Sequence, residues 1–323
     1  MTLPSRVSAT VALSVALAAP ARCGEIVGYT PETYARFTSG FPAAPVQNTS
    51  ASFVASGLDV TGVGWRAAGN WGTTLVTPRH VVTTVHVGYF APGEQVRFVG
   101  ADGVVRSYPV AVNATTGQVV QTRLTTHYTD GTGATVTRPS DFLVVTLASP
   151  IPAADQITPL GVGAGSAPVG TNLLAYGQNS AYGSGTRHFG TNTLDALELV
   201  SIDGFASEAT WTAMYDYTRT RPGDIALIGG DSGSPLLTRQ GNTPVLLGTH
   251  YAVDGNLGDP NSPYLSYSAY LPYYLDELSG IVAADGQSLT VVPVPEPAGL
   301  GALAAILAVW GWRRLGAPGR GVG

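Results

Sequence analysis

Lysine is absent from this sequence of 323 residues, and all 16 of its basic residues are arginines. The absence excludes mechanisms that need a lysine amine, such as a Schiff base, a serine–lysine dyad or a Walker A phosphate loop. Cysteine is almost absent too, since Cys23 is the only one. One cysteine can form neither an internal disulfide nor a cysteine-rich zinc site, and the sequence points to no cofactor and no metal.

Charge is scarce as well. Only 11 % of the residues are charged and the formal net charge is −5, so nothing favours nucleic acid as a partner. A hydrophobic fraction of 44 % excludes general disorder. Glycine and proline, by contrast, are frequent, with 41 and 23 residues, so we expect a folded chain with many turns.

The N-terminal residues 1–21 have the order of a secretory signal peptide. Arg6 supplies a short basic region, an apolar run follows, and Ala19-Pro20-Ala21 provides small residues for cleavage. We therefore predict export, with removal of the segment by signal peptidase after Ala21. The alternatives are a frayed apolar terminus or a first strand.

The C-terminal residues 295–314 contain three parts in a specific order. Pro295-Glu296-Pro297 comes first, an uncharged run to Trp312 follows, and Arg313-Arg314 ends the segment. The run is short for a transmembrane helix. The order resembles the PEP-CTERM sorting signal. That resemblance implies processing by an exosortase in a Gram-negative-type bacterium, transient membrane contact, and delivery to the envelope surface or an extracellular matrix. A plain C-terminal membrane anchor is the alternative.

Between the two ends the chain has the pattern of an all-β domain. Short β-branched and aromatic runs recur between glycine, proline, asparagine and aspartate, which predicts a sandwich or a barrel. The predicted strands are Gly72–Val76, Val81–Val87, Gln95–Val99, Phe142–Leu147, Asn172–Tyr176, Ala196–Ile202, Thr210–Tyr217, Ile225–Ile228 and Val245–Tyr251.

One helix is predicted near Tyr270–Ala284, and Gly280 is expected to end it early. Its apolar face would consist of Leu271, Leu275, Leu278 and Val282. We assign residues 53–284 to the folded domain, residues 22–52 to an N-terminal extension or propeptide, and residues 285–294 to a spacer.

The strongest chemical signal is the string Gly229-Gly230-Asp231-Ser232-Gly233-Ser234-Pro235, which lies between two apolar runs. A serine hydroxyl is a weak nucleophile and needs a tight turn with N–H donors beside it. Glycines on both sides of Ser232 allow such a turn. An ordinary Gly-Ser pair would indicate a hairpin turn, but the whole string favours a nucleophile.

A nucleophilic serine needs a base, and two histidines lie in the segment 77–87. His86 follows small residues at the end of a predicted strand, whereas His80 lies in the turn before that strand. We assign the base to His86 and a place in a surface turn to His80.

Asp141 lies at the start of a third segment, 140–147, in which a serine and this aspartate precede a continuous apolar run. A carboxylate there would lie at the edge of a core, where it could accept a hydrogen bond from the imidazole and fix its tautomer. Taken alone, Asp141 is better interpreted as capping the strand. Its position in the chain between His86 and Ser232 favours the catalytic interpretation.

Together the three segments resemble the chymotrypsin-like (trypsin-like) serine proteases, because His86, Asp141 and Ser232 follow one another in that family's order. The α/β-hydrolases and subtilisins have other orders. The resemblance implies two six-stranded β-barrels with a C-terminal helix. It also implies that Ser232 attacks, that His86 is the base and that Asp141 orients His86. The N–H groups of Gly230 and Ser232 would form the oxyanion hole.

By the same resemblance Asp231 is a buried structural carboxylate that shapes the loop, and a buried carboxylate needs a partner. Three partners are open: a new N-terminus at Ile26, an arginine, or a backbone amide. The sequence Ile26-Val27-Gly28 has the form of an activation terminus, but it lies far before His86.

The predicted specificity pocket has a mixed signature. Trypsin-like members have an aspartate where Ala226 stands, so a preference for arginine or lysine is not expected. The segment Gly248-Thr249-His250-Tyr251 resembles that of glutamyl endopeptidases, whose histidine contacts an acidic substrate side chain. Leu227 replaces the companion hydroxyl residue of those enzymes. A histidine in the core or at a strand edge is the alternative for His250.

The sequence thus predicts an exported, envelope-associated serine endopeptidase that hydrolyses peptide bonds in protein or peptide substrates through an acyl-enzyme. Two alternatives stay open. One is a non-catalytic envelope or matrix protein on a protease scaffold. The other is a serine esterase, since ester and amide acyl transfer use the same machinery.

Overall fold

The computed structural model describes residues 25–179, 186–201 and 207–294. The predicted signal peptide and the predicted sorting segment lie outside these ranges. So does Ile202, the predicted end of one strand. Within them the chain is built mostly of strands, with a short helix near the C-terminal end. No helix of the described part is long and apolar enough to cross a membrane.

The elements are numbered in chain order. The strands are β1 Glu25–Ile26, β2 Phe37–Ser39, β3 Val46–Gln47, β4 Val63–Arg66, β5 Gly72–Thr77, β6 His80–Thr84, β7 Gln95–Val99, β8 Val105–Pro109, β9 Gln121–Thr129, β10 Thr135–Thr146, β11 Gly161–Ala164, β12 Asn172–Asn179, β13 Thr186–Thr193, β14 Ala196–Val200, β15 Thr210–Asp216, β16 Ile225–Ala226, β17 Pro235–Gln240, β18 Thr243–Gly255, β19 Tyr264–Tyr270 and β20 Val291–Pro293. The helices are α1 Pro31–Tyr34 and α2 Leu275–Ala284, with 3-10 turns at Ala153–Asp155 and Leu271–Tyr274.

The first barrel is a sheet of seven strands in the order β8-β7-β4-β5-β6-β10-β9. It closes beyond the ends of β8 and β10. There Ala111 N donates to Thr146 O at 2.8 Å, and Ala148 N donates to Pro109 O at 2.9 Å. Closure pairs backbone groups that would otherwise lie at open sheet edges.

The second barrel is a sheet of nine strands. Its main path runs β13-β12-β17-β18-β19-β15-β14, and β11 pairs with both β18 and β20. The all-β, double-barrel prediction with a C-terminal helix is confirmed. The first sheet has seven strands. The second has nine, because β11 and β20 join the seven strands of its main path.

Strand β10 explains how the two barrels pack, because it is buried at every position from Ser140 to Thr146. Leu143 and Val145 point into the core of the first barrel. Phe142 and Val144 alternate with them and pack in a cluster that includes residues of the second barrel, such as Leu174. A strand with both faces covered is expected to be continuously apolar, which matches the apolar run that follows Asp141.

Helix α2 packs on the barrels through Leu278 and Val282, both almost fully buried. The expected early end at Gly280 is wrong, since the helix continues to Ala284. A helical glycine costs only about 1 kcal/mol relative to alanine. Burial of the apolar side chains on both sides of Gly280 offsets that cost.

The N-terminal residues 25–52, predicted as an extension or propeptide, are packed against both barrels. Strand β1 pairs with β16 in a separate two-stranded sheet. Arg36 N donates to Arg187 O at 2.7 Å, and the Arg36 side chain is only 5 % exposed. The predicted spacer 285–294 is also ordered in part, because β20 lies parallel to β11.

Candidate active site

The three residues singled out in the sequence meet in a cleft between the barrels. His86 and Asp141 come from the first barrel, and Ser232 comes from the loop before β17 of the second. All three line a cavity of about 440 Å³. The cleft therefore depends on how the two barrels pack together.

His86 lies just after β6, which ends at Thr84 rather than at Val87 as predicted. Two backbone contacts hold this bend against Asp141. Val85 N donates to the Asp141 carbonyl at 2.9 Å, and His86 N donates to Asp141 Oδ1 at 3.0 Å. The main chain of His86 is thus fixed to the same carboxylate that faces its ring.

A β-bulge aims Asp141 at His86. The pairing of β10 with β9 shifts register between Pro139 and Leu143, so Asp141 falls within the irregularity. Its N–H donates to Thr210 Oγ1 at 3.0 Å instead of to a strand partner. Bulges re-aim side chains in this way.

A continuous hydrogen-bond chain joins the three side chains. His86 Nδ1 lies 2.7 Å from Asp141 Oδ2, and His86 Nε2 lies 2.7 Å from Ser232 Oγ. The consistent proton placement has Nδ1–H donating to the carboxylate and the serine hydroxyl donating to Nε2. The aspartate side chain is only 8 % exposed, while the histidine side chain is 30 % exposed and so reaches the cleft.

The other candidate base, His80, lies elsewhere. Its ring is fully buried, so its predicted place in a surface turn is wrong. Nδ1 lies 2.8 Å from Thr77 Oγ1 and Nε2 lies 3.1 Å from Asp285 Oδ2. Burial lowers the pKa of His80, and the nearby Asp285 carboxylate acts in the opposite direction. This histidine connects the first barrel to the end of α2.

The loop that carries Ser232 is held by the first barrel as well as by the second. Gly72 N donates to the Ser232 carbonyl at 3.1 Å, and Thr83 Oγ1 donates to the Gly72 carbonyl at 2.7 Å. Gly233 has a φ of 76°, and a Cβ there would lie 2.3 Å from the Gly72 oxygen. This close approach explains why glycine follows the serine.

The predicted oxyanion hole has two N–H groups, those of Gly230 and Ser232. Neither donates to a backbone acceptor in the described part of the chain. Asp231 N donates to Ile228 O at 3.1 Å, which makes residues 228–231 a β-turn with Gly230 at φ 109°. Both N–H groups are thus available to an oxygen in the cleft.

Asp231, the expected structural carboxylate, is buried and bound by backbone amides. Gln178 N donates to Oδ1 at 2.7 Å and Ile228 N donates to Oδ2 at 2.9 Å. Burial raises the pKa of Asp231 to about 7, and these two donors and the Arg187 guanidinium oppose the rise. Ile26 lies within β1, paired with Ile225. Of the three open partners, backbone amides are the ones observed.

The three residues predicted for the specificity pocket differ in position. Leu227 and His250 line the cavity beside Ser232, whereas Ala226 is fully buried in β16. His250 is 1 % exposed, and its Nδ1 lies 2.8 Å from Ser268 Oγ. Burial lowers the pKa of His250 to about 3, against a smaller opposing effect of the Tyr176 backbone.

Sequence reasoning missed three residues around the site: Thr210, Arg187 and Gln178. Thr210 supports Asp141, as described above. Arg187 is fully buried and lies over the Phe41 ring at 4.7 Å. Gln178, the last residue but one of β12, contacts the loop that carries Ser232 with both its backbone and its side chain. None of the three belongs to a motif, so only the tertiary structure could find them.

The comparison with known families agrees with the fold and with the arrangement of the cleft. The family model of trypsin matches residues 58–274, which include His86, Asp141 and Ser232. No curated protein matches the chain. Because the match covers most of the chain and all three segments of the cleft, the chain belongs to the trypsin family of serine peptidases.

Proposed function

We propose that this member of the trypsin family is an active serine endopeptidase that hydrolyses peptide bonds through an acyl-enzyme. The observation that carries the proposal is the hydrogen-bond chain from Asp141 Oδ2 through His86 to Ser232 Oγ, with both links at 2.7 Å. A protease scaffold that had lost catalysis would have no need to keep this arrangement across two barrels.

The proposed reaction begins when Ser232 Oγ attacks the carbonyl carbon of the scissile peptide bond. His86 Nε2 takes the hydroxyl proton and then delivers it to the leaving amine as the C–N bond breaks. Asp141 holds the ring in the required tautomer and stabilises the imidazolium. The N–H groups of Gly230 and Ser232 would stabilise the negative charge on the carbonyl oxygen. Water then hydrolyses the acyl-enzyme by the same steps.

We further propose that the side chain before the scissile bond, P1, is apolar. The lining of the cavity includes the apolar residues Leu227, Ile228, Ala252 and Val253. The charged side chains of its lining are already engaged. Asp231 accepts from two backbone amides, and Glu208 is paired with Arg123 at 2.6 Å.

A glutamyl preference through His250 has less support. The His250 ring is almost fully buried and hydrogen-bonded to Ser268. Burial lowers its pKa to about 3, so the ring is neutral above that pH. A neutral ring offers no positive charge to a glutamate carboxylate. Leu227 also lacks the hydroxyl group that the resemblance to glutamyl endopeptidases would require.

Location is proposed from the ends of the sequence. A basic, apolar and small-residue order in residues 1–21 supports export. The Pro-Glu-Pro, apolar and Arg-Arg order in residues 295–314 supports sorting to a bacterial envelope or matrix by an exosortase. An exported endopeptidase would meet protein and peptide substrates outside the cell.

The test combines covalent labelling with peptide cleavage. A fluorophosphonate probe should label wild-type protein at Ser232, and Ser232→Ala or His86→Ala should abolish both labelling and cleavage. Asp141→Asn should lower kcat by about 10⁴-fold, because the ring would lose its tautomer. His127→Ala, at an exposed histidine on β9, is the matched control and should cleave like wild type.

Two results would contradict the proposal. A folded wild-type protein that is not labelled would have no activated serine. A protein that is labelled and hydrolyses esters, but cleaves no peptide in a broad library, would be an esterase instead.

A further inference from the structure

The feature that the proposed mechanism leaves unexplained is Gln178, at the end of strand β12. Its backbone N–H donates to Asp231 Oδ1 at 2.7 Å. Its side-chain Nε2 donates to the carbonyl oxygen of Gly230. One residue of the second barrel therefore contacts two successive residues of the loop that carries the oxyanion hole.

The geometry of that loop makes the contact significant. The Gly230 N–H belongs to the central peptide of the β-turn 228–231. Turns of types I and II differ by a flip of this peptide, and the flip reverses the sign of φ at the third residue. Gly229 and Gly230 occupy both central positions, so neither residue has a Cβ that would oppose the flip.

A flip would reverse the direction of the Gly230 N–H. In the structure Gly230 has a φ of 109°, a positive value as at the third residue of a type II turn. The loop thus needs restraints from outside the turn to keep one of two accessible conformations. Asp231 provides one restraint, because its carboxylate is bound by the amides of Gln178 and Ile228.

The Gln178 side chain provides a second restraint, directly at Gly230. This carbonyl belongs to the peptide that follows Gly230, so the hydrogen bond with Nε2 holds the main chain of Gly230 in place rather than opposing the flip itself. The amide also fills the space next to the glycine, since a Cβ built on Gly230 would lie 3.0 Å from Gln178 Nε2. The side chain therefore packs against the residue and binds its carbonyl.

We propose that Gln178 is a positioning residue for the oxyanion hole: it holds the main chain of Gly230, and so the place of the Gly230 N–H, relative to Ser232. This inference rests on the proposed endopeptidase function. Gln178 does not touch the reacting atoms. It acts through Gly230, so its effect belongs to the transition state, where the oxyanion forms, rather than to substrate binding.

The first test is steady-state kinetics of Gln178→Met, which keeps the length of the side chain and removes the donor. We expect kcat to fall roughly 10- to 100-fold, somewhat less than the 10²- to 10³-fold loss for removing an oxyanion donor outright. KM should stay within about twofold, because ground-state contacts are unchanged. Gln47→Met is the matched control, since Gln47 Nε2 donates to the Gly100 carbonyl at 2.9 Å outside the cavity.

The second test uses a peptide aldehyde, which adds to the serine and forms a tetrahedral oxyanion. Its affinity should weaken in Gln178→Met by the same factor as kcat/KM, whereas a merely destabilised protein would bind it normally once folded. Gln178→Glu extends the test if the methionine variant does not fold. Its carboxylate would face the Gly230 carbonyl without a proton to donate, so the same loss of kcat is expected.

The outcomes separate the two claims. If wild type cleaves peptides and Gln178→Met has a wild-type kcat, or a raised KM with unchanged kcat, only the role of Gln178 is overturned. If wild type is neither labelled by the fluorophosphonate nor active, the endopeptidase proposal and this inference are both overturned.

Discussion

The imidazole of His86 is held at both ring nitrogens and at its backbone. Thr84 Oγ1 and Asp141 Oδ2 each lie 2.7 Å from Nδ1, and Ser232 Oγ lies 2.7 Å from Nε2. Thr84 lies two residues before His86 and adds a polar contact to the ring. Residue identities in the motifs were enough to name His86 and Asp141, but not to find this neighbour.

The P1 preference is a prediction at this scale. We expect kcat/KM for peptides with an aliphatic P1 residue to exceed that for glutamate or arginine by about tenfold or more, because charged P1 side chains would be desolvated without a partner. Cleavage of a peptide library in which only the P1 residue varies measures this preference directly. A glutamate preference that disappears in His250→Gln would show that the buried histidine recognises the substrate after all.

At the scale of elements, the N-terminal segment shows how a stretch without a motif packs on the fold. The sequence leaves open whether residues 22–52 are an extension or a propeptide. In the structure Arg36 donates to the carbonyls of Val60 and Val63 at 2.9 and 2.7 Å. It also donates to the Tyr176 hydroxyl at 3.2 Å. The Arg36 side chain thus binds both barrels. Residues 25–52 therefore pack together with the folded domain.

Arg36→Leu should lower the free energy of unfolding by about 3 kcal/mol, because it leaves buried carbonyls without donors. Urea denaturation measures the change. Arg138→Leu is the control, since Arg138 is exposed on β10, and it should change stability by less than about 0.5 kcal/mol. Equal stabilities for the two variants would mean that the segment packs only loosely.

For the whole molecule, burial of polar groups links stability to pH. His188 and His250 are fully buried, and burial lowers the pKa of each to about 3. An unfolded chain binds protons on its histidines near pH 6.5, so between pH 6.5 and about 3 the unfolded state holds more protons. Stability from these residues is therefore present above pH 6.5 and is lost as the pH falls.

In that range each histidine should contribute about 1.4 kcal/mol per pH unit to the slope of the free energy of unfolding against pH. His250→Gln should remove one such slope, which urea denaturation at pH 7, 6 and 5 would measure. The raised pKa of Asp231 acts in the opposite direction. Asp231 is present in both wild type and His250→Gln, so its contribution cancels when their slopes are compared. His127→Gln, at an exposed position, should keep the wild-type slope, and an unchanged slope in His250→Gln would contradict the prediction.

The sequence by itself determined the fold class and named the residues of the candidate triad. Short alternating or continuous apolar runs between turn residues specify strands locally. The string around Ser232 carries its own glycines. These signals are local, so no partner from elsewhere in the chain is needed to detect them.

Only the tertiary structure decided the rest. Which histidine faces the serine depends on the bend after β6 and on the bulge in β10. The partners of Asp231, the burial of His250 and the contact of Gln178 with Gly230 come from elements far apart in the chain. Such contacts form when strands that are distant in the chain come together, within the second barrel for Gln178 and Gly230 and between the barrels for His86 and Ser232. The spacing of residues along one strand does not encode them.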